Sequence, residues 1–102
     1  MRCFAFMTDR YEEDSRDRRS AERKYKIFKK RVEGEEGEKY LKQDLKQYKF
    51  DFGNYIKLEH GRGGRTIIYY EDRVIAGQLV CIAVAVRDFR HDSQYDEFYR
   101  TT

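Results

Sequence analysis

The sequence predicts a small α+β domain, a two-layer sandwich in which a helical hairpin covers one face of a mainly antiparallel sheet. Three features support this fold class: a long apolar run rich in branched residues, two helical stripes in the first half, and alternating residues in the second half. A chain of 102 residues without a linker or an internal repeat fits one domain, residues 1–102. The predicted order of elements is β-α-α-β-β-β, followed by a short C-terminal helix.

The apolar run comprises the eight residues 79–86, LVCIAVAV, four of which are Val or Ile. A run this short and this rich in branched side chains predicts a strand covered on both faces, because a half-exposed strand would alternate with polar residues. We therefore expect this strand at the centre of the sheet. The polar residues that follow it, within residues 87–95, would then lie at the rim of a rigid scaffold, where functional groups tend to collect.

The first part of the chain predicts a strand and two helices. Residues 3–7 are apolar and suit a strand beside the central one, and Thr8 or Asp9 followed by Glu12 is typical of a helix cap. Residues 9–20 are so polar that they suit either a solvated helix or a mobile arm, and we favour the helix. Two further stripes predict a hairpin of helices separated by Gly34 and Gly37, the second helix over residues 38–47. The stripes are Ala21, Tyr25, Phe28 and Val32, then Tyr40, Leu41, Leu45 and Tyr48.

The second half predicts a meander of three strands. Residues 55–60 alternate, with Tyr55, Lys57 and Glu59 on one face and the intervening residues on the other. The glycines of residues 61–64 permit a tight connection to a partner strand over residues 65–70. A turn at residues 71–73 would follow, residues 74–76 can extend the sheet past it, and Gly77 would lead into the apolar strand. Residues 92–99 suit a short terminal helix.

Composition and charge limit the functional classes. Lys and Arg outnumber Asp and Glu by 22 to 19, and a net charge of +3 does not by itself indicate a polyanionic partner. The acidic residues cluster in residues 12–17 and 33–38, however, whereas residues 61–90 contain five arginines and three acids. Because Cys3 and Cys81 lie in apolar runs without metal-ligand spacing, we expect buried free thiols. No apolar run approaches the ~20 residues of a membrane span, so we expect a cytoplasmic protein.

Polar and aromatic side chains from the predicted strands can converge on the face that the helices leave open. Such a set suits a phosphodiester of RNA, because arginines neutralise the phosphate, Glu59 or His91 can accept the 2′-hydroxyl proton, and Tyr95 can stack on a base. This mechanism requires neither metal nor cofactor, and His91 has no other His or Cys at ligand spacing. The predicted catalytic residues are Glu59, Arg65, Arg90, His91 and Tyr95, and the predicted RNA-binding residues are Lys57, Arg62 and Arg87.

Each of these residues also has an ordinary structural interpretation. Arg62 and Arg65 can be surface residues at the end of a hairpin, and Glu59 can pair with Arg65 across it. Tyr95 can pack within a terminal helix instead of stacking on a base.

Two stretches resemble the RelE/ParE toxin superfamily. Residues 53–70, GNYIKLEHGRGGRTIIYY, are similar to its basic hairpin, and residues 79–95, LVCIAVAVRDFRHDSQY, are similar to its last core strand and the Arg, His and Tyr residues after it. Members that cut messenger RNA in the ribosomal decoding site use basic side chains of these strands and yield a cyclic phosphate. The resemblance places Lys57, Arg65, Arg87 or Arg90, and Tyr95 at the matching positions.

The resemblance implies a metal-independent endoribonuclease that acts on RNA, with the ribosome and an antitoxin protein as partners. Glu59 departs from the pattern, because many members have a second basic residue there; it can serve as a proton acceptor or can abolish cleavage. Two alternatives therefore remain: a non-catalytic module that binds nucleic acid or protein, and an inhibitor of DNA gyrase in the manner of the ParE branch.

Overall fold

The computed structural model describes residues 1–50 and 53–90. Five strands form one mixed sheet in the order β1-β5-β4-β3-β2, and helices lie between the first two strands in the chain. β1 (Arg2–Met7) runs parallel to β5 (Gln78–Phe89), and every other neighbouring pair is antiparallel. The predicted α+β fold class is confirmed. The terminal helix predicted for residues 92–99 lies outside the described residues.

Residues 9–15 are helical, as the polar sequence predicts. α1 spans Asp9–Ser15, and Thr8 caps it by accepting a hydrogen bond from the backbone N–H of Tyr11 at 3.0 Å. α2 spans Arg19–Val32, and its predicted stripe faces the sheet. All four residues of that stripe are buried: Ala21, Tyr25, Phe28 and Val32.

The second helix of the predicted hairpin is shorter and less regular than expected. α3 spans only Gly37–Lys39, a π-helical turn covers Tyr40–Asp44, and the chain then forms strand β2 (Gln47–Phe50), which the helical pattern did not predict. The side-chain amide of Gln47 donates to the carbonyls of Leu41 and Leu45, both at 2.9 Å, and so provides hydrogen-bond donors for backbone carbonyls at the end of the helical segment. The prediction of a helix through residue 47 was therefore wrong.

β3 (Gly53–His60) and β4 (Gly64–Ile75) form the predicted hairpin, but the next turn lies later than expected. Instead of turning at residues 71–73, β4 continues to Ile75, and Asp72 accepts a hydrogen bond from Lys42 at 2.9 Å. The reversal occurs at Ala76 and Gly77, whose φ values of 51° and 78° suit a two-residue hairpin turn.

The apolar strand β5 is an interior strand between β1 and β4, although β4 occupies the middle of the sheet. The small side chains of Ala83 and Ala85 are buried on the helix side, together with Cys81. On the other face Ile82 and Val84 remain half-buried. The prediction that helices or other layers cover this strand fully on both faces was therefore wrong, because the helices pack on one face only.

The core lies between α1, α2, α3 and the sheet, and a smaller apolar cluster lies on the opposite face. Tyr55, Ile67 and Phe89 form the buried part of this second cluster. Within residues 1–50 and 53–90, no helix has the length and apolar character needed to cross a membrane.

Candidate nucleic-acid interface

The sheet face opposite the helices carries a row of tyrosines. Tyr48 stacks on Tyr55 with ring centroids 5.2 Å apart, and Tyr69 meets Tyr55 edge to face at 6.2 Å. The three residues occupy directly paired positions on β2, β3 and β4, so they form a line across the sheet. We call the surface formed by these tyrosines, Ile67, Phe89 and the charged residues beside them the aromatic face.

Strand register places four of the predicted site residues on the aromatic face. Lys57 lies opposite Ile67 on one side, and Arg87 lies opposite the same residue on the other. Glu59 and Arg65 are paired two positions further along the hairpin. Because alternate residues of a strand share a face, the hairpin residues and Arg87 point to the same side of the sheet. Lys57 also lies over the Tyr48 ring, with Nζ 5.0 Å from its centroid.

Glu59 and Arg65 form the cross-strand pair that the sequence allowed. Arg65 Nε lies 3.9 Å from Glu59 Oε1, and Arg65 also donates from Nη1 to the carbonyl of Gly64 at 3.0 Å. The Arg65 side chain is only 15% exposed, whereas that of Glu59 is 68% exposed. The guanidinium is thus held in place, and the carboxylate beside it faces solvent.

Arg87 is fixed at the end of the sheet by a residue of α1. Its Nε donates to Asp14 Oδ2 at 2.8 Å, and its guanidinium lies 4.7 Å from the centroid of the Phe89 ring. The same Asp14 oxygen accepts the backbone N–H of Asp88 at 3.0 Å. Asp14 therefore caps the part of β5 that extends beyond β1 and orients Arg87 at the same time.

The remaining predicted residues are not gathered in the same way. Arg62 is exposed in the turn between β3 and β4, and Arg90 is exposed directly after β5. His91 and Tyr95 lie outside the described residues. The tyrosine line was not part of the predicted site; the alternation that placed Tyr55 beside Lys57, extended to Tyr69, was the sequence signal for it.

A buried polar network lies on the helix side of the same end of the sheet. His60 Nε2 is 2.6 Å from Asp88 Oδ1, and Thr66 donates to the same oxygen at 2.8 Å. Arg18 pairs with the other oxygen of Asp88, and Ser20 Oγ lies 2.9 Å from His60 Nδ1. This network was not predicted from the sequence. The only sequence signal for it was that His60 and Asp88 occupy inward positions among apolar residues.

Ser20, His60 and Asp88 are connected in the order of a nucleophile, a base and an orienting carboxylate. Their surroundings favour a structural role. Asp88 is already shared by Arg18 and Thr66, and a Cβ atom built on Gly61 would lie 2.9 Å from Ser20 Oγ. The turn therefore packs directly against the hydroxyl.

Burial affects two tyrosines near these sites. It raises the pKa of Tyr69, with a smaller contribution from Tyr55, so the Tyr69 hydroxyl remains protonated at neutral pH. Burial, with the charge of Asp88, raises the pKa of Tyr11 to about 12. Among residues 1–50 and 53–90, no cluster of three or more His, Cys, Asp or Glu side chains is arranged to hold a metal ion.

The fold and this face define an α+β protein with an aromatic and basic sheet surface. Comparison with protein-family models, with curated proteins and with solved structures finds no significant match for the chain.

Proposed function

We propose that the aromatic face binds single-stranded RNA and that the protein is a metal-independent endoribonuclease of the RelE type. The observation that carries the proposal is the position of Lys57, Glu59, Arg65 and Arg87 on one sheet face beside three tyrosines. The partly exposed rings of Tyr48 and Tyr69, on either side of the buried Tyr55, provide stacking surfaces for unpaired bases, and cations along the same surface neutralise phosphates. This combination suits RNA better than it suits a small polar metabolite.

The face is basic at both ends. Arg2 and Arg73 are each paired with Val80, on the same side of the sheet as the tyrosines. Among the described residues at strand positions on this face, five cations accompany two acids: Arg2, Lys57, Arg65, Arg73 and Arg87 with Glu59 and Glu71. Asp14 of α1, which pairs with Arg87, is a third acid beside them. A local excess of positive charge supports a polyanionic ligand even though the whole chain carries only +3.

The proposed reaction is a transfer within the RNA strand. Glu59 accepts the proton of a 2′-hydroxyl, the 2′-oxygen forms a bond to the adjacent phosphorus, and the bond to the 5′-oxygen breaks. The leaving oxygen takes up a proton from water, which gives a 2′,3′-cyclic phosphate and a 5′-hydroxyl. Arg65, beside Glu59, stabilises the negative charge that develops on the phosphate oxygens. The proposal also assigns Arg90, His91 and Tyr95 to the catalytic site, as the sequence predicts.

Binding is tested by fluorescence anisotropy of a labelled single-stranded RNA, with Lys57→Gln compared with Lys26→Gln. Lys26 is exposed on α2, away from the aromatic face, and provides the matched loss of one charge. We expect Lys57→Gln to weaken binding and to lower the slope of log affinity against log salt by about 0.7, the value for one phosphate contact of a single strand. Equal effects of the two substitutions would contradict the proposal.

Cleavage is tested with messenger RNA on translating ribosomes and with the same RNA alone, by analysis of the product ends. We expect cyclic phosphate ends with the wild type, a loss of about 10²- to 10⁴-fold in Glu59→Gln, and reduced cleavage in Arg65→Ala. Glu35→Gln, purified in the same way, controls for contaminating nucleases because Glu35 is exposed between α2 and α3. Intact RNA at micromolar protein would exclude the nuclease.

A second candidate function is RNA binding without cleavage. The ion pair of Glu59 with Arg65 favours it, because a cross-strand partner gives Glu59 a structural role that does not require catalysis. RNA affinity that persists in Glu59→Ala, with no turnover by the wild type, would support this function over the nuclease. If the protein is a toxin of this type, we expect an antitoxin segment to cover the aromatic face and to compete with RNA.

A further inference from the structure

The aromatic face contains a cleft at the end opposite Glu59 and Arg65. Its volume is about 460 Å³, within the range of small-molecule sites. Ile82 and Val84 of β5 lie on the same side of the sheet as Tyr69 and Glu71 of β4, with which they are paired. The cleft is lined by Gly53, Asn54, Tyr69, Tyr70, Glu71, Ile82 and Val84.

The cleft exists because one strand lacks a side chain there. Gly53 lies two residues before Tyr55, so the alternation of β3 places it on the aromatic face. A Cβ atom built on Gly53 would meet no heavy atom within 4 Å, which means that the space beside it is open. The gap lies beside the tyrosine line along the strand direction, and Tyr69 borders it.

The lining matches a planar heterocycle with hydrogen-bond donors. Ile82 and Val84 provide an apolar surface, and the Tyr69 ring provides a stacking partner. The polar side chain suited to such a ligand is the carboxylate of Glu71, because the alternation of β3 turns the side chain of Asn54 to the other side of the sheet. Arg73 holds the carboxylate, with Nε 2.5 Å from Glu71 Oε1, and the Glu71 side chain remains 59% exposed.

A carboxylate selects among the four bases by the donors that each base presents. Guanine offers N1–H and the 2-amino group side by side, which together match the two oxygens of a carboxylate. Adenine and cytosine offer only an amino group beside an acceptor, and the single N–H of uracil lies between two carbonyl oxygens.

The cleft is also placed for an RNA strand that reaches the proposed reacting groups. Glu71 follows Arg65 by six residues on β4, so the two positions are roughly 20 Å apart along the strand. Tyr69 and Ile67 lie between them on the same face. A few extended nucleotides can span this distance.

We propose that this cleft binds a guanine base of the single-stranded RNA on the aromatic face, an inference that rests on the proposed function. Glu71 is the residue that determines specificity, and Tyr69 stacks on the base. The bound guanine would hold the strand a few nucleotides from the phosphate next to Arg65.

The first test is an NMR titration with 5′-GMP, 5′-IMP and 5′-AMP, followed through the methyl signals of Ile82 and Val84. IMP keeps N1–H and the 6-oxygen but lacks the 2-amino group, so it isolates the second hydrogen bond to Glu71. We expect the dissociation constant obtained from the methyl shifts to be lowest for GMP, about 10-fold higher for IMP, and highest for AMP. Equal binding of the three nucleotides, or no shift at these methyl groups, would overturn the inference.

The second test uses Glu71→Gln with Glu35→Gln as a control, since both side chains are exposed and neither substitution should prevent folding. We expect Glu71→Gln to abolish the preference for an RNA with a single guanine over its adenine variant and to leave affinity for the adenine variant within 2-fold to 3-fold. RNA binding without any base preference in the wild type would refute guanine binding in the cleft but not the proposed function. GMP binding with no RNA binding would support the cleft and refute the proposed function.

Discussion

His60 Nε2 lies 2.6 Å from Asp88 Oδ1, and both side chains are buried between the sheet and the helices. Each of the two residues directly follows a proposed site residue: His60 follows Glu59, and Asp88 follows Arg87. Thr66, which also donates to Asp88, directly follows Arg65. At this end of the sheet, the buried network thus lies on the helix side, and the proposed reacting groups lie on the opposite side.

Asp88→Asn should destabilise the fold strongly. Removal of this charge leaves Arg18, whose side chain is only 17% exposed, without its ionic partner, and breaking a buried pair in this way costs about 3 to 5 kcal/mol. Urea unfolding followed by circular dichroism measures the loss. Arg73→Gln, which breaks an exposed pair, should cost less than about 1 kcal/mol. Equal losses in the two variants would contradict the role assigned to Asp88.

Thr66→Val tests whether the network positions the residues on the other face. The substitution keeps a branched side chain but removes the hydrogen bond to Asp88, at a cost of about 1 kcal/mol. Under conditions where the variant is fully folded, we expect weaker RNA binding and shifted Arg65 and Arg87 Nε–H signals in NMR spectra. Val32→Ala, a core substitution at the far end of α2, should destabilise without either change. Unchanged arginine signals in Thr66→Val would limit the network to stability.

Ser20→Ala distinguishes a structural hydroxyl from a nucleophile. Because Gly61 packs against the hydroxyl, we expect a loss of about 1 kcal/mol in stability and no covalent labelling of the wild type by a fluorophosphonate. Intact-protein mass spectrometry measures the labelling. A phosphonyl adduct on Ser20 that disappears in His60→Gln would instead identify a serine nucleophile.

Local patterns predicted those elements whose residues interact mainly with one neighbouring layer. The spacing of Ala21, Tyr25 and Phe28 predicted α2, and alternation predicted that Lys57 and Glu59 share one face of the sheet. Such periodicities are set by the backbone of each element and need no knowledge of the fold.

The elements that were missed depend on distant residues. Tyr48 fits a helical stripe with Leu45, but its ring stacks on Tyr55, and that contact belongs to a strand. Residues 71–73 have the composition of a turn, yet Lys42 from the π-helical turn holds Asp72 in β4. Likewise, the buried network joins Ser20 to a histidine 40 residues away, which no local spacing indicates.

Glu33→Gln should weaken the edge of the sheet in a pH-dependent way. Glu33 accepts the backbone N–H of Ala5 at 3.0 Å and pairs with Lys29 at 2.9 Å, and these two bonds lower the pKa of its carboxyl group. Lys29 also donates to the Ala5 carbonyl, so both polar groups of this β1 residue are satisfied by α2 and its C-cap. An edge strand blocked in this way cannot pair there with another chain.

Because the pKa of Glu33 is lower in the folded state, its stabilisation is fully present above the unfolded-state value of about 4.3. It is lost as the pH falls through the lower folded-state pKa. We therefore expect Glu33→Gln to cost about 1 kcal/mol at neutral pH, and the wild type and the variant to converge in acid. Urea midpoints across this range measure the difference, with Glu35→Gln as an exposed control. A difference that stays constant into acid would contradict this assignment.

The thiols of Cys3 and Cys81 should be unreactive while the protein is folded. The two residues are paired across β1 and β5, both are buried, and neither forms a disulfide. Burial raises the pKa of Cys81 to about 12 and also raises the pKa of Cys3, so neither thiol provides the reactive thiolate at neutral pH.

Labelling with iodoacetamide, followed by mass spectrometry, should therefore proceed only through unfolding. We expect both cysteines to react within minutes in urea and to be protected in buffer, with protection falling in Asp88→Asn in proportion to its lost stability. Because that substitution lies away from both thiols, it changes their labelling only by changing the unfolded population. Rapid labelling of the wild type in buffer, or a labelling rate that does not change with the stability of the variant, would contradict the buried position of the cysteine pair.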